Sequence, residues 1–206
     1  MLVYKLIPLV LIAPLLAAAG CGSPWTGVGT QRTAMEQMLL SVAADRALSL
    51  DSLPIDGKKV YLDTTYLTPY DKDYVISNFR SAISARATIT SNSESAEIIV
   101  EPRCGALAID KSELLIGIPA MPMPLPSVNA TPIQTPEIAL FKFASYRSRA
   151  KFNTFAIARD TRKNLGATGT QYAEAKFRVW VILFIPFTGS DFLSDYEKIK
   201  REPPLK

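Results

Sequence analysis

The chain has 206 residues, 48% of them hydrophobic and 9% aromatic, with a formal net charge of +4; that composition belongs to a folded protein and not to a disordered one. Histidine is absent, which removes Ser-His-Asp and Cys-His catalysis, histidine general-base chemistry and most zinc and haem sites.

Met1 to Lys5 is a short head whose single charge is Lys5, and an unbroken apolar run follows from Leu6 to Ala19. The run has the length of a signal-peptide core, falls short of the ~20 residues of a spanning helix, and is interrupted by Pro8 and Pro14. It ends in Ala18-Ala19-Gly20-Cys21, which resembles the lipobox of bacterial lipoproteins, with Ala18 where that pattern commonly carries Leu. The resemblance implies cleavage before Cys21, a diacylglycerol thioether on its sulfur and N-acylation, so that the mature chain is anchored to a membrane without crossing it. Residues 1–20 are then a removed signal peptide. Residues 21–32 form a lipidated tether rich in turn formers, and residues 33–206 form one α/β domain. Gly22, in place of the Asp that commonly retains lipoproteins at the inner membrane, implies the periplasmic face of the outer membrane in a Gram-negative cell. Cys104 is the one other cysteine; an acylated Cys21 cannot pair with it, so packing alone holds the fold.

The elements follow in order. Thr33-Ala-Met-Glu36 has the form of a capping box, and Met35, Met38, Leu39, Val42, Ala43, Ala47 and Leu50 recur at helical spacing. Pro54, Asp56 and Gly57 end that helix, and Lys59–Asp63 is a first strand. Asp71-Lys-Asp73 opens a second helix with acidic residues at its positive end; Tyr74, Val75, Ile76, Phe79, Ala82 and Ile83 are its buried side. Residues 87–90 make a short strand. Residues 96–101 make a stronger one, extended through Gly105 to Ile109, with 114–118 continuing the same sheet. Six prolines between Pro119 and Pro136 exclude a helix and a central strand there. This loop is nevertheless apolar, and Met121, Met123 and Leu125 are candidate contacts for a partner. Beyond it, 137–146 and 149–159 read as two strands with Ser148 near a tight connection. Residues 161–166 read as a turn, 173–187 as a third strand, and the charged tail from Asp195 as a short helix. The predicted fold is α/β (α+β): two N-terminal helices on a mixed sheet extended by a C-terminal antiparallel meander.

Charge is uneven along the chain. Residues 21–120 carry 9 basic and 12 acidic side chains, and residues 121–206 carry 13 and 7. A basic surface of this kind is usually a solvated one, and in an envelope protein it can also face anionic head groups or cell-wall polymer; nucleic acid is not an expected partner. Glu36, Ser41, Asp45 and Arg46 form a polar set on the first helix, at a helix–sheet seam or around a ligand. Ser41 lacks a histidine base, a Ser-x-x-Lys partner and a Gly-x-Ser-x-Gly elbow. Asp71-Lys-Asp73 lacks the glycine and closing glutamate of a calcium loop, and neither a metal nor a cofactor is expected.

The string from Thr33 to Leu48 resembles a segment of an uncharacterised family of small bacterial lipoproteins, with the pattern T-x-x-E-Q-x-L-L-S-x-A-x-D-R-A. The agreement extends through the Lys59–Asp63 strand and the basic C-terminal half, and it implies a kind of protein and not an activity. A more distant architectural likeness is to curli-secretion lipoproteins, cell-wall-synthase activators and the N-terminal domain of the Tol translocation protein, which assemble or activate other components. The expectation is a non-enzymatic envelope lipoprotein that presents its domain to a protein partner or cell-wall polymer. The alternatives are a carboxylate-based periplasmic hydrolase and a module that binds a small ligand.

Overall fold

The computed structural model describes residues 32–123 and 133–194. The N-terminal apolar run, Cys21 with its tether, and the tail from Asp195 lie outside these residues. Helix α1 (Ala34–Ala47) starts where the capping box places it: the Glu36 amide donates to Thr33 Oγ1 at 3.2 Å, and the Thr33 amide donates to Glu36 Oε2 at 2.9 Å. Then come β1 (Lys59–Leu62), α2 (Lys72–Ser84), β2 (Thr88–Ile89) and β3 (Ile98–Ile118). A small pair follows, β4 (Pro122–Met123) and β5 (Ile133–Gln134), before β6 (Ile138–Ala158), β7 (Asn164–Ala167), β8 (Gln171–Ile182) and β9 (Ile185–Ser190).

Among the described residues the result is a mixed α+β fold with two helices and a seven-stranded sheet in the order β2-β1-β3-β6-β8-β9, with β7 paired to β6 where β8 has ended. Strand β1 runs parallel to both β2 and β3, and all other pairs in this sheet are antiparallel. The parallel part needs a crossover between its strands, which α2 supplies.

Helix α1 lies across β6 and β8, and small residues make that close approach possible. Ala43, Ala44 and Ala47 on the helix and Ser148, Ala150 and Ala175 on the sheet are all buried. Ser148 Oγ donates to the Leu39 carbonyl at 2.6 Å, a direct bond between strand and helix backbone. Around this seam Leu39, Val60, Val75, Phe79, Ile83, Val100, Phe152 and Phe192 complete the core, with Phe79 meeting Phe152 edge to face at 5.8 Å between ring centres. Cys104 is a half-buried free thiol whose pKa burial pushes up.

The strand boundaries correct several expectations. Residues 137–146 and 149–159 are parts of one 21-residue strand, because Ser148 points inward and finds a buried acceptor and so does not mark a turn. Strand β3 is equally continuous from Ile98 to Ile118, accommodating Gly105 as a bulge. Residues 173–187 are instead two strands, reversed at Leu183–Phe184. The turn expected at 161–166 is shorter, since Asn164–Ala167 pairs with β6. The proline-rich segment contains the β4–β5 pair, where Pro122 is tolerated because the pair stands apart from the main sheet.

The close helix–sheet seam generates a direct test. Ala150→Leu overpacks it and should lower stability by about 1–3 kcal/mol, whereas Phe152→Ala empties the core and should cost about 3–5 kcal/mol. Both are read by chemical denaturation, and an Ala150→Leu variant as stable as the parent would show that α1 does not lie over β6 as described.

Candidate functional site

The four polar residues singled out on α1 are directed to four different partners. Glu36 closes the capping box. Ser41 Oγ donates back to the Met38 carbonyl at 3.0 Å. Asp45 faces α2, accepting from the Tyr74 hydroxyl at 3.0 Å and from Asn78 Nδ2 at 2.5 Å. Arg46 faces the sheet, donating to the Glu174 and Asp191 carbonyls at 2.9 Å each and lying 3.3 Å from the Asp191 carboxylate. These contacts dock the helix on its neighbours. Arg32, just before α1, pairs with Asp71 and lies 4.2 Å from the centre of the Tyr70 ring. Among the described residues no three His, Cys, Asp or Glu side chains gather as metal ligands, and no described helix is long and apolar enough to cross a membrane.

The least expected surface is the far end of the long sheet. There the register builds two rungs across four strands, Leu114–Phe143–Trp180–Phe187 and Ile116–Phe141–Ile182–Ile185, and every position in them is apolar. Because side chains two apart along a strand share a face, both rungs lie on one side of the sheet. Leu114, Ile116, Ile182, Ile185 and Phe187 are exposed, as are Ile118 and Ile138 beyond them, and Phe143 and Trp180 rest against each other at 5.7 Å. Contiguous exposed apolar surface of this kind marks a site of interaction.

The turn at this end is unusual. Strands β8 and β9 are joined by Leu183 and Phe184 alone, with φ of 47° and 70°. That is the two-residue hairpin geometry with both central residues left-handed, which Asn-Gly fills without strain. A bulky L-residue in that region costs roughly 1–2 kcal/mol. Here two large apolar side chains accept that strain and remain 65% and 52% exposed. Met121, the described member of the three loop candidates, follows β3 at this same end and is 52% exposed. The Met123 side chain and all of Leu125 lie outside the described residues. Sequence periodicity missed this surface because the run from Val179 to Phe187 contains no turn former except Pro186. The available signal was its apolarity on both alternating faces, which a strand with one wet face does not show.

A cleft of about 360 Å³ separates the start of α1 from the inner side of the sheet, lined by Thr33, Met35, Glu36, Tyr146, Phe177 and Val179 together with Ala144, Pro186 and Thr188. Its lining is mainly apolar, and its one carboxylate, Glu36, is held by the capping box. The cleft also fixes where the chain enters the domain: at the Ala144–Val179–Thr188 rung, close to the β8–β9 turn.

Behind the apolar rungs, on the same face, stands a charged band of Asp110, Arg147, Arg149, Glu174, Lys176 and Arg178. Glu174 is its hub, bonded to the Tyr172 hydroxyl, to Lys176 at 3.2 Å and to Arg149 at 3.2 Å. The Tyr172 hydroxyl foremost, with Lys176 and Arg149, pulls the Glu174 carboxyl from the ordinary 4.5 to about 2 against the opposing effect of burial. A depressed folded-state pKa gives stability that is present above pH 4.5 and is lost as pH falls towards 2. Glu174→Gln should therefore lower Tm most above pH 4.5 and converge on the parent towards pH 2, flattening the acid limb of a plot of Tm against pH over that interval. An acid limb identical to the parent's would remove Glu174 from this role.

The comparisons with known proteins add the following. A search of the curated proteins finds no match. The family of unknown function DUF6655 matches residues 17–196, a span that contains Cys21 and every helix and strand described above. The chain belongs to that family.

Proposed function

We propose that this protein is a non-enzymatic lipoprotein of the bacterial envelope, held at the periplasmic face of the outer membrane through Cys21. In this reading residues 33–206 form one domain, with two N-terminal helices on a mixed sheet extended by antiparallel C-terminal strands, that is presented to a protein partner or cell-wall polymer. The observation that carries a binding role is the pair of solvent-facing apolar rungs at the end of the sheet, since such surface is retained where something covers it. The reading of Cys21 is supported by the apolar run that ends in Ala-Ala-Gly-Cys. The polar residues of α1 support a structural role for themselves, because each is engaged in docking the helix.

A second reading, a module that binds a small apolar ligand, is favoured by the cleft beneath α1. Its volume of about 360 Å³ falls within the ~300–1,000 Å³ of ligand pockets. Val179→Trp would fill it. Unchanged uptake of an apolar fluorescent probe by that variant would exclude the cleft as its site.

The anchor is tested in a bacterial host supplied with labelled fatty acid. Wild-type chain should incorporate label and fractionate with outer-membrane markers, and Cys21→Ser should lose both the label and membrane retention. An unlabelled wild-type chain would refute the anchor, and sedimentation with inner-membrane markers would refute its placement.

A further inference from the structure

We infer that the β8–β9 turn, with the two apolar rungs behind it, is seated in the interfacial layer of the lipid bilayer to which Cys21 is attached. This rests on the proposal that Cys21 carries the lipid, and it names the bilayer, in place of a protein or polymer, as what covers the exposed end of the sheet.

Three independent features favour lipid as the occupant. The first is the length of chain between Cys21 and the domain. Eleven peptide bonds separate Cys21 from Arg32, a contour of at most about 40 Å. Thr33 and Glu36 face Val179 across the cleft, about 13 Å along the strand from Leu183. That span leaves the acyl chains within reach of the apolar end of the sheet. The far end of the sheet, at Ile98 and Ala158, lies about 45 Å from the Ala144–Val179 rung along the strand.

The second feature is the distribution of side-chain types. Leu183 and Phe184 form the turn, the next rungs carry Ile, Leu, Phe and Trp180 on one face, and on the opposite face Lys142 is neutralised by ion pairs with Glu113 and Glu137. Arg178, then Lys176 and Arg147, follow on the same face, with Asp110 beside Arg147 as the nearest acidic member of that band. Aliphatic tip, then aromatic, then cation is the order from acyl chain to head group to water. Basic residues at head-group depth are complementary to anionic lipid.

The third feature is the turn itself. Asn-Gly would hold the same backbone without strain, yet this chain places Leu and Phe at positive φ. Strain of that kind persists where the side chains are needed. Two exposed apolar residues on the β8–β9 turn fit a soft layer as they stand, whereas a rigid protein partner would need a socket of matching form. Pro186 in β9 removes a donor from the free edge beside the turn and disfavours extension of the sheet by a second copy.

The test uses the full chain carrying Trp25→Phe, which leaves Trp180 as the sole tryptophan. The protein is reconstituted into vesicles of phosphatidylethanolamine and phosphatidylglycerol with brominated acyl chains, and fatty-acid label on Cys21 is measured on the same sample. Trp180 should lose most of its emission relative to unbrominated vesicles. The variant Leu183→Asn with Phe184→Gly should keep its label, melt a few degrees higher because the turn is relaxed, and lose the quenching. Labelled protein with unquenched Trp180 would overturn the inference and leave the anchor standing. Unlabelled protein whose Trp180 is still quenched on added vesicles would refute the anchor and support the membrane-seated tip. A variant quenched like its parent would overturn the inference, as would unquenched Trp180 accompanied by cross-links joining two copies through the turn.

Discussion

The structure depends on one mismatch of lengths. Strands β3 and β6 pair continuously over 21 residues each, which at ~3.3 Å per residue is nearly 70 Å of ribbon. The helices that cover the sheet have 14 and 13 residues, or about 20 Å apiece at 1.5 Å per residue. Whatever their orientation, they can shield only part of that ribbon. The covered part has a core of large aliphatic and aromatic side chains, and the uncovered part has to be stable with water, or something else, on its faces.

Backbone pairing makes the uncovered part possible. The strands β3, β6, β8 and β9 pair with one another throughout the uncovered part, so the ribbon keeps its shape where no helix supports it. A soluble protein would be expected to place alternating polar residues on such an arm. This one does so over the Asp110–Arg147–Lys176 rung and abandons the pattern two rungs later. On that face the change from charged to apolar occurs within a few residues on β3, β6 and β8 at once, while Lys142 keeps its ion pairs with Glu113 and Glu137 on the other face. It is therefore a property of the position in space and not of any one segment.

Helix α1 joins the two regimes. Its C-terminal half is embedded in the core, where Ala43, Ala44 and Ala47 allow close contact with the sheet. Asp45 and Arg46, adjacent in sequence, point to opposite neighbours and fix the helix between α2 and β8. Its N-terminal end stands at the border of the apolar arm, over the cleft lined by Met35 and Val179. The strain stored at Leu183 and Phe184 is tolerable because this whole assembly of pairing and packing over-determines the turn.

Local patterns in the sequence determined the helices and the kind of fold. The capping box at Thr33, the 3.6-residue periodicity after it and the acidic opening of α2 are short-range signals, and each describes a free energy settled within a few residues. Likewise the Ile98–Val100 run and the β-branched, aromatic composition of the C-terminal half specified strands and an α+β architecture. The lengths of those strands were decided elsewhere. Ser148 reads as a break until α1 brings the Leu39 carbonyl to it, and Leu183–Phe184 reads as strand until β9 folds back on β8. In both places the local preference is weak and a partner distant in sequence supplies the deciding hydrogen bonds. The candidate surface was hidden for the same reason. Leu114, Phe143, Trp180 and Phe187 come from four separate strands, and only the tertiary register sets them side by side.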